Sequence, residues 1–163
     1  MQKQNIIWRI DDRLIHGQVI VGWCGQLPIK KLVVIDDFIA SHDWEKELML
    51  MAAPSHLSTE ILSTMEILQK IESWKTGKEL ILILFKSPVT VKILNQEGIH
   101  FNKVNLGGIH YREDRKEILS YIYLSSEEIT LLKELMQEGI TFECQDLPTS
   151  TAYDLQKLIK KVK

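Results

Sequence analysis

The sequence predicts an α/β fold: an open, mainly parallel β-sheet of about seven strands, with helices on both faces. Short apolar runs alternate along the chain with longer segments in which apolar residues recur every three or four positions, as on amphipathic helices. The runs VVI at 33–35 and LILILF at 80–85 are apolar on both faces. That pattern is typical of strands in a parallel sheet that helices cover on both sides.

The predicted strands and helices follow one another along the whole chain. Strands are predicted at 6–10, 31–35, 80–85, 103–106, 120–124 and 141–144, and a weaker pattern predicts a seventh at 59–62. Helices are predicted at 17–26, 42–51, 64–74, 89–96, 126–138 and 154–162. Ser125 and Gly139 are typical of the start and the stop of the fifth helix. We expect residues 1–163 to form a single domain.

The composition argues against several functional classes. A formal net charge of −2 gives no support for binding to nucleic acid. No apolar run approaches the roughly 18–20 residues that span a membrane, and the first residues lack the apolar core of a signal peptide. Cys24 and Cys144 are too few for a disulfide scaffold and lack CxxC spacing. We therefore expect a cytoplasmic protein.

The densest polar cluster in the chain follows the first predicted strand. Two arginines, two aspartates and a histidine fall within the segment RIDDRLIH at 9–16. Ligands of open α/β sheets bind beyond the carboxyl ends of strands, which is where this segment lies. The candidate site therefore consists of Arg9, Asp11, Asp12, Arg13 and His16.

The chemistry of this cluster suits the acceptance of a phosphoryl group. An imidazole with an ordinary pKa of about 6.5 is largely neutral at pH 7 and can act as a nucleophile. His16 directly precedes a predicted helix, whose free N–H groups at Gly17 and Gln18 would bind an anion. Gly17 would also let the backbone approach a phosphate closely. Arg13 would add a permanent charge and a planar fork of donors.

A structural explanation of the same residues stays open. His16 could be an ordinary surface histidine or a hydrogen-bonded one. Arg13 could pair with Asp12 across the loop, and Arg9 could pair with Asp11. The spacing alone does not separate these explanations from a phosphoryl site.

Other polar residues support weaker hypotheses. The segment NLGG at 105–108 follows a strand, and its glycines suit either a tight turn or a close approach of the backbone to phosphate. Ser87 suits the N-cap of a helix that begins at Pro88, and it could also line the site. The remaining histidines lack HxxxH or HExxH spacing, and neither GxxxxGK[ST] nor GxGxxG occurs. We therefore expect no metal and no cofactor.

The segment RIDDRLIHGQV at 9–19, followed by GW at 22–23, resembles the N-terminal signature of the mannose/fructose/sorbose family of phosphotransferase IIB components. Further segments fall in the expected order over nearly the whole chain: LVVIDD at 32–37, MAAP at 51–54, LFKSP at 84–88 and VNLGGIHYREDRKEI at 104–118. Trp44, Cys24 and the stretch at 54–57 depart from the family pattern, but none of them touches the first motif.

The resemblance implies a phosphoryl carrier with a mainly parallel α/β sheet. It implies that His16 takes phosphate, usually on Nδ1, from a phosphohistidine of the IIA component. The phosphate then passes to a sugar held by the membrane components IIC and IID, at the inner face of the cell membrane. By the match, Arg13 is the phosphate-binding cation of the catalytic pair. The further candidates for phosphate binding are Gly17, Gln18, Arg9, Asp12 and Ser87.

Two other functions are compatible with the same loop. A regulatory module would keep the fold and use its phosphorylation state to control another protein. A small-molecule phosphatase with a phosphohistidine intermediate would also need a general acid for the leaving group. Neither the sugar nor the oligomeric state follows from the sequence, and a homo-oligomer stays open.

Overall fold

Seven strands form one sheet, and all but its last pairing are parallel. In the computed structural model, which describes residues 5–161, these strands are β1 (Ile6–Ile10), β2 (Ile29–Ile35), β3 (Ser58–Leu62), β4 (Leu80–Phe85), β5 (Lys103–Leu106), β8 (Thr141–Cys144) and β9 (Tyr153–Asp154). Their order across the sheet is β3-β2-β4-β1-β5-β8-β9, and β9 pairs antiparallel with β8. The fold class predicted from the sequence is confirmed.

A separate antiparallel hairpin replaces one predicted strand. It consists of β6 (Arg115–Leu119) and β7 (Ile122–Ser125), joined by a turn at 120–121. The prediction of one strand at 120–124 is therefore wrong in its bounds, and these residues lie outside the main sheet. The first three residues of β6 are charged and partly or fully exposed, so β6 has no apolar run that could reveal it.

Helices cover both faces of the sheet. Alternate residues of the central strands point to two apolar clusters, with Ile83 and Phe85 in one and Leu82 and Leu84 in the other. Three helices pack on the Leu82 face: α1 (Gln18–Cys24), α2 (Asp37–Ser41) and α3 (Asp43–Ala52). Four pack on the Phe85 face: α4 (Thr64–Thr76), α5 (Pro88–Gln96), α6 (Ser126–Gln137) and α7 (Leu155–Ile159).

The helix bounds depart from the prediction where the helices are short. Five-residue α2 was not predicted, because it is too short to show a periodic pattern; Asp36 caps it by accepting from the Ile39 N–H at 2.9 Å. The helix predicted at 17–26 is α1, which is wound as a π-helix. The helix predicted at 154–162 is α7, preceded by β9, and Val162 lies outside the described residues.

The helix caps follow the sequence signals closely. Ser125 and Glu128 form a capping box at the start of α6, and Gly139 takes a φ of +97° just after its end. Ser87 occupies the N-cap position of α5, and Pro88 is the first helical residue, as predicted. The Ser87 side chain, however, makes no capping hydrogen bond.

Three neighbouring strands end together and place their following loops at one edge. Ile10 at the end of β1 lies opposite Phe85 of β4 and Leu106 of β5. The loops at 11–17, 86–87 and 107–114 therefore meet beyond the carboxyl ends of these strands. This edge is where a ligand site is expected in an open α/β sheet.

Candidate functional site

The loop after β1 makes a tight turn that buries its apolar residues. The Leu14 N–H donates to the Asp11 carbonyl at 3.0 Å, and Leu14 has a φ of 57°, in the left-handed region. That conformation costs a non-glycine residue about 1–2 kcal/mol. Burial of the Leu14 side chain, which is 2% exposed, contributes roughly 1.5–3 kcal/mol and offsets this cost. Leu14 and Ile15 point into the core, so the polar residues on either side stay at the surface of the loop.

Asp11 connects the polar residues of the site. Its carboxylate is fully buried, and Oδ2 accepts from Arg9 Nη2 at 3.1 Å and from the Gly108 N–H at 3.3 Å. Oδ1 lies 3.2 Å from His16 Nε2 and accepts from Arg13 Nε at 3.4 Å. One carboxylate thus joins two arginines, the histidine and the loop after β5.

Asp11 is ionised over the physiological pH range. Burial by itself would raise the pKa of this carboxyl, because a charge is poorly solvated inside the protein. The hydrogen bond from His16 and the charges of Arg9, His16 and Arg13 outweigh burial and hold the pKa of Asp11 at about 2. An ionised carboxylate can only accept hydrogen bonds.

The contacts of His16 define which of its ring nitrogens carries the proton and which carries the lone pair. Because Asp11 only accepts, the proton of the neutral imidazole lies on Nε2 and points at Asp11. Nδ1 then carries the lone pair, and it accepts from the Gln18 N–H at 3.3 Å, a long and weak contact. The side chain is 15% exposed. In the neutral tautomer, Nδ1 is therefore the ring nitrogen of His16 that carries the lone pair.

Arg13 shares Asp11 Oδ1 with His16, and two of its guanidinium nitrogens donate to residues of the described chain. Its Nη2 donates to Gln18 Oε1 at 2.8 Å, its Nε donates to Asp11, and its side chain is 36% exposed. A Cβ on Gly108 would lie 2.9 Å from Nη2, so a glycine there gives the guanidinium its space. The pairing of Arg13 with Asp12 that the sequence left open is wrong, because Arg13 pairs with Asp11.

Arg9 is fully buried and its guanidinium is surrounded by acceptors. Nη1 donates to the Asn105 side chain and to the Gln145 carbonyl at 2.8 Å, and Nη2 donates to the Asp146 carbonyl at 3.2 Å. Its Cζ lies 4.5 Å from the centre of the Trp23 ring. The pairing of Arg9 with Asp11 is confirmed. This arrangement suits Arg9 to positioning Asp11 rather than to contacting a phosphoryl group.

Asp12 is also engaged away from His16. Its Oδ2 accepts from the His110 N–H at 2.8 Å and lies 3.6 Å from Arg115 Nη1, while Oδ1 lies 2.5 Å from His110 Nδ1. A carboxylate repels a phosphoryl group, so these contacts suit Asp12 to holding the loop after β5.

The remaining candidates occupy the rim of the site. Gly17 has a φ of −52°, so its conformation does not require glycine, and a Cβ there would meet nothing within 4 Å. That open space leaves room for a ligand. Gln18 touches both His16 and Arg13. Ser87 is half-buried two residues after β4, and its side chain makes no capping hydrogen bond to the helix that follows.

The two glycines of the NLGG segment make room for the side chains of Arg9 and Arg13. A Cβ on Gly107 would lie 2.2 Å from Arg9 Cζ, and Gly108 faces Arg13 in the same way. Both glycines therefore allow close packing of the two arginines. Nothing in the sequence indicates that Asn105, Gln145 and His110 belong to the site. They lie 96 to 136 residues from their partners in the first motif, and no local pattern reveals such contacts.

Clusters of metal-binding side chains and membrane-spanning helices are both absent from the described part of the chain. Within residues 5–161, no three His, Cys, Asp or Glu side chains come together in a way that could hold a metal ion. In the same range, no helix combines the length and the apolar character that crossing a membrane requires.

Comparison with known proteins identifies the family. The family model for the PTS system sorbose subfamily IIB component matches residues 6–163. The N-acetylgalactosamine-specific phosphotransferase enzyme IIB component 1 of Escherichia coli (strain K12) is 32% identical over 143 residues, covering 88% of this chain and 90% of that protein. The solved structure of manxB from Thermoanaerobacter tengcongensis has a TM-score of 0.84 and 30% sequence identity, covering 99% of both chains.

A longer relative matches over part of its length. The PTS system mannose-specific EIIAB component of Escherichia coli (strain K12) is 27% identical over 154 residues, which cover 94% of this chain and 48% of that protein. The chain therefore spans about half the length of this relative. Because the family model covers nearly the whole chain, the chain belongs to the sorbose subfamily of IIB components of sugar phosphotransferase systems.

Proposed function

We propose that the chain is a phosphoryl carrier in which His16 accepts a phosphoryl group on Nδ1 and passes it to a sugar. The observation that carries this proposal is the contact of His16 Nε2 with the buried, ionised Asp11. That contact fixes the ring and leaves Nδ1 as the nucleophile beside Arg13. A surface histidine without a chemical role would not need a contact with a buried, ionised carboxylate.

The transfer step follows from these contacts. The Nδ1 lone pair attacks phosphorus, the P–N bond of the donor phosphohistidine breaks, and its electron pair returns to the donor imidazole. The phosphorylated His16 ring keeps its proton on Nε2 and becomes positively charged, and the adjacent Asp11 stabilises this charge. The partly exposed guanidinium of Arg13 stabilises the negative oxygens in transit.

The proposed partners follow from membership of the family. We infer that the donor is the phosphohistidine of a IIA component and that the acceptor is a sugar held by the membrane components IIC and IID. On this proposal the chain works in the cytoplasm, at the inner face of the membrane. Fusion of IIA and IIB functions in the relative named EIIAB supports a direct IIA–IIB step.

Phosphorylation by a purified donor tests the proposal. The chain is incubated with phosphorylated IIA, then intact mass and peptide mapping under non-acidic conditions locate the phosphate. We expect one phosphoryl group, on His16, and none on His16→Gln. His100→Gln is the control, because His100 is exposed just before β5, at the opposite edge of the sheet. Phosphate on another residue, or unaltered labelling of His16→Gln, would refute the proposal.

A further inference from the structure

We propose that His110, held by Asp12, is a second functional histidine, which accepts the proton of the sugar hydroxyl when phospho-His16 gives up its phosphoryl group. This inference rests on the proposed function and adds a residue to its second step. It concerns the loop after β5, which lies against the loop that carries His16.

Asp12 holds His110 at two points. Its Oδ2 accepts from the His110 backbone N–H at 2.8 Å, and its Oδ1 lies 2.5 Å from the ring Nδ1. Because the carboxylate only accepts, the proton of the neutral ring lies on Nδ1. The other nitrogen, Nε2, then carries a lone pair and makes no hydrogen bond to residues 5–161. The side chain is 57% exposed, so Nε2 can reach a bound partner.

The backbone of His110 is fixed from the other side by Arg115. Arg115 Nη1 donates to the His110 carbonyl at 2.7 Å, and Nε and Nη2 donate to Glu128 at 3.0 and 2.7 Å. The Arg115 side chain is only 8% exposed. Glu128 also caps α6 through the Ser125 N–H. The exposed imidazole of His110 therefore extends from a backbone segment that the nearly buried, ion-paired Arg115 holds in place.

The His110 loop belongs to the same edge as His16. The Asp12 N–H donates to the Gly108 carbonyl at 2.9 Å, and the Gly108 N–H donates to Asp11. Gly108 also faces the Arg13 guanidinium. Two consecutive aspartates therefore orient two histidines by opposite nitrogens. Asp11 contacts Nε2 of His16, which leaves the lone pair on Nδ1, and Asp12 contacts Nδ1 of His110, which leaves the lone pair on Nε2.

His16 and His110 have complementary roles in the second transfer. The P–N bond of phospho-His16 breaks and its electron pair returns to Nδ1, while a P–O bond forms to the sugar hydroxyl. The hydroxyl proton moves to His110 Nε2, and Asp12 stabilises the resulting imidazolium. Release of this proton to water restores the neutral ring. His16 ends neutral, with its proton still on Nε2, so the step is balanced.

Several charged groups surround His110 and hold its loop in place. Asp12 contacts the His110 ring, and Arg115 donates to the His110 carbonyl. Arg115 also pairs with Glu128, and Arg112 pairs with Asp114 in the same loop. Arg13 lies across Gly108. Only the neutral ring can accept a proton, so the proposed role requires the neutral form of His110.

The experiment measures the two transfers separately in His110→Gln, whose side-chain amide can still donate to Asp12. The first transfer is the labelling of His16 by phosphorylated IIA. The second is the loss of label in the presence of membranes containing IIC and IID and a mixture of mannose, fructose, sorbose and N-acetylgalactosamine. His100→Gln is the matched control, and circular dichroism checks folding.

We expect the second transfer to fall about 100-fold in His110→Gln, the usual scale of a lost general base. The first transfer should fall far less, because no hydroxyl proton moves in it. Equal slowing of both transfers, or an unchanged second transfer, would overturn the role of His110 and leave the proposed function intact. Failure of the wild-type chain to label His16, or to lose the label to any of these sugars, would overturn the proposed function as well.

Discussion

Asp11 is the residue on which the geometry of the site depends. Its buried carboxylate fixes the ring of His16 on one oxygen and the guanidinium of Arg9 on the other. Removing the Asp11 carboxylate would leave the buried Arg9 guanidinium with only uncharged acceptors, and breaking a buried ion pair typically costs about 3–5 kcal/mol. The motif DDR could be found in the sequence, but the different partners of its two aspartates could not, because those partners lie in distant loops.

The low pKa of Asp11 predicts how stability depends on pH. A carboxyl whose pKa falls from 3.8 to about 2 on folding stabilises the folded state by roughly 2–3 kcal/mol. This contribution is complete above about pH 4 and is lost as the pH falls toward 2. In Asp11→Asn, which is less stable at neutral pH, the free energy of unfolding should decline less steeply over that range. Urea unfolding between pH 2 and pH 7 measures both slopes.

The control for Asp11 is Glu113→Gln, because Glu113 is exposed and makes no side-chain hydrogen bond to the described residues. It should follow the wild-type curve. Parallel curves for Asp11→Asn and the wild type would contradict the assigned pKa.

Substitution of Arg13 should change the rate of phosphoryl transfer far more than the stability of the fold. Arg13→Ala should fold normally, because a partly exposed ion pair contributes under about 1 kcal/mol. Its rate of phosphoryl transfer should fall roughly 10²–10³-fold, or about 3–4 kcal/mol, because one preorganised charge contact is lost. Arg13→Lys should recover only part of the rate, since an ammonium lacks the planar fork of donors. Timed labelling assays give the rates, and a near-wild-type rate for Arg13→Ala would remove Arg13 from the site.

The position of the site depends on where the strands end and not on how long they are. The carboxyl ends of β1, β4 and β5 bring together loops that lie up to about a hundred residues apart in the chain. Continuous apolar runs made these strands predictable. The same logic failed for β6, which begins with three charged residues instead of an apolar run, and for α2, which is a single turn held by its cap.

The start of α6 gives a prediction at the scale of the element. Ser125→Ala removes one capping hydrogen bond and should cost about 1 kcal/mol. Glu128→Gln removes the charge that pairs with nearly buried Arg115 and should cost more. Urea unfolding measures both. Ser126→Ala is the control, because Ser126 is exposed and its side chain takes no part in the cap; a loss for Ser126→Ala equal to that for Ser125→Ala would contradict the capping role.

At the scale of the whole molecule, the sheet separates two apolar cores. Cys24 packs in the core under α1 and Cys144 in the core on the other face. Burial raises the pKa of Cys24 to about 11 and that of Cys144 to about 12. Neither thiol can reach the other without unfolding, so both are packing residues.

This separation predicts how the thiols react. A thiol-specific reagent should label the native protein slowly and should find two thiols after denaturation without reductant. Fast labelling in the native state would contradict the burial of both thiols. Fewer than two thiols in the denatured, non-reduced protein would contradict their free state.

The fold and the family could be predicted from the sequence because both depend on continuous segments, and the first motif alone holds His16 and Arg13. The choice of nitrogen could not, because it depends on how the chain turns at Leu14 and sets His16 against Asp11. The central claim is therefore that Asp11 holds Nε2 of His16 and leaves Nδ1 to carry phosphate.

Nuclear magnetic resonance of the phosphorylated protein, with ¹⁵N in its histidine rings, tests this claim most directly. We expect a ³¹P–¹⁵N coupling to Nδ1 of His16, with Nε2 protonated. A coupling to Nε2 of His16, or to any other histidine, would contradict it.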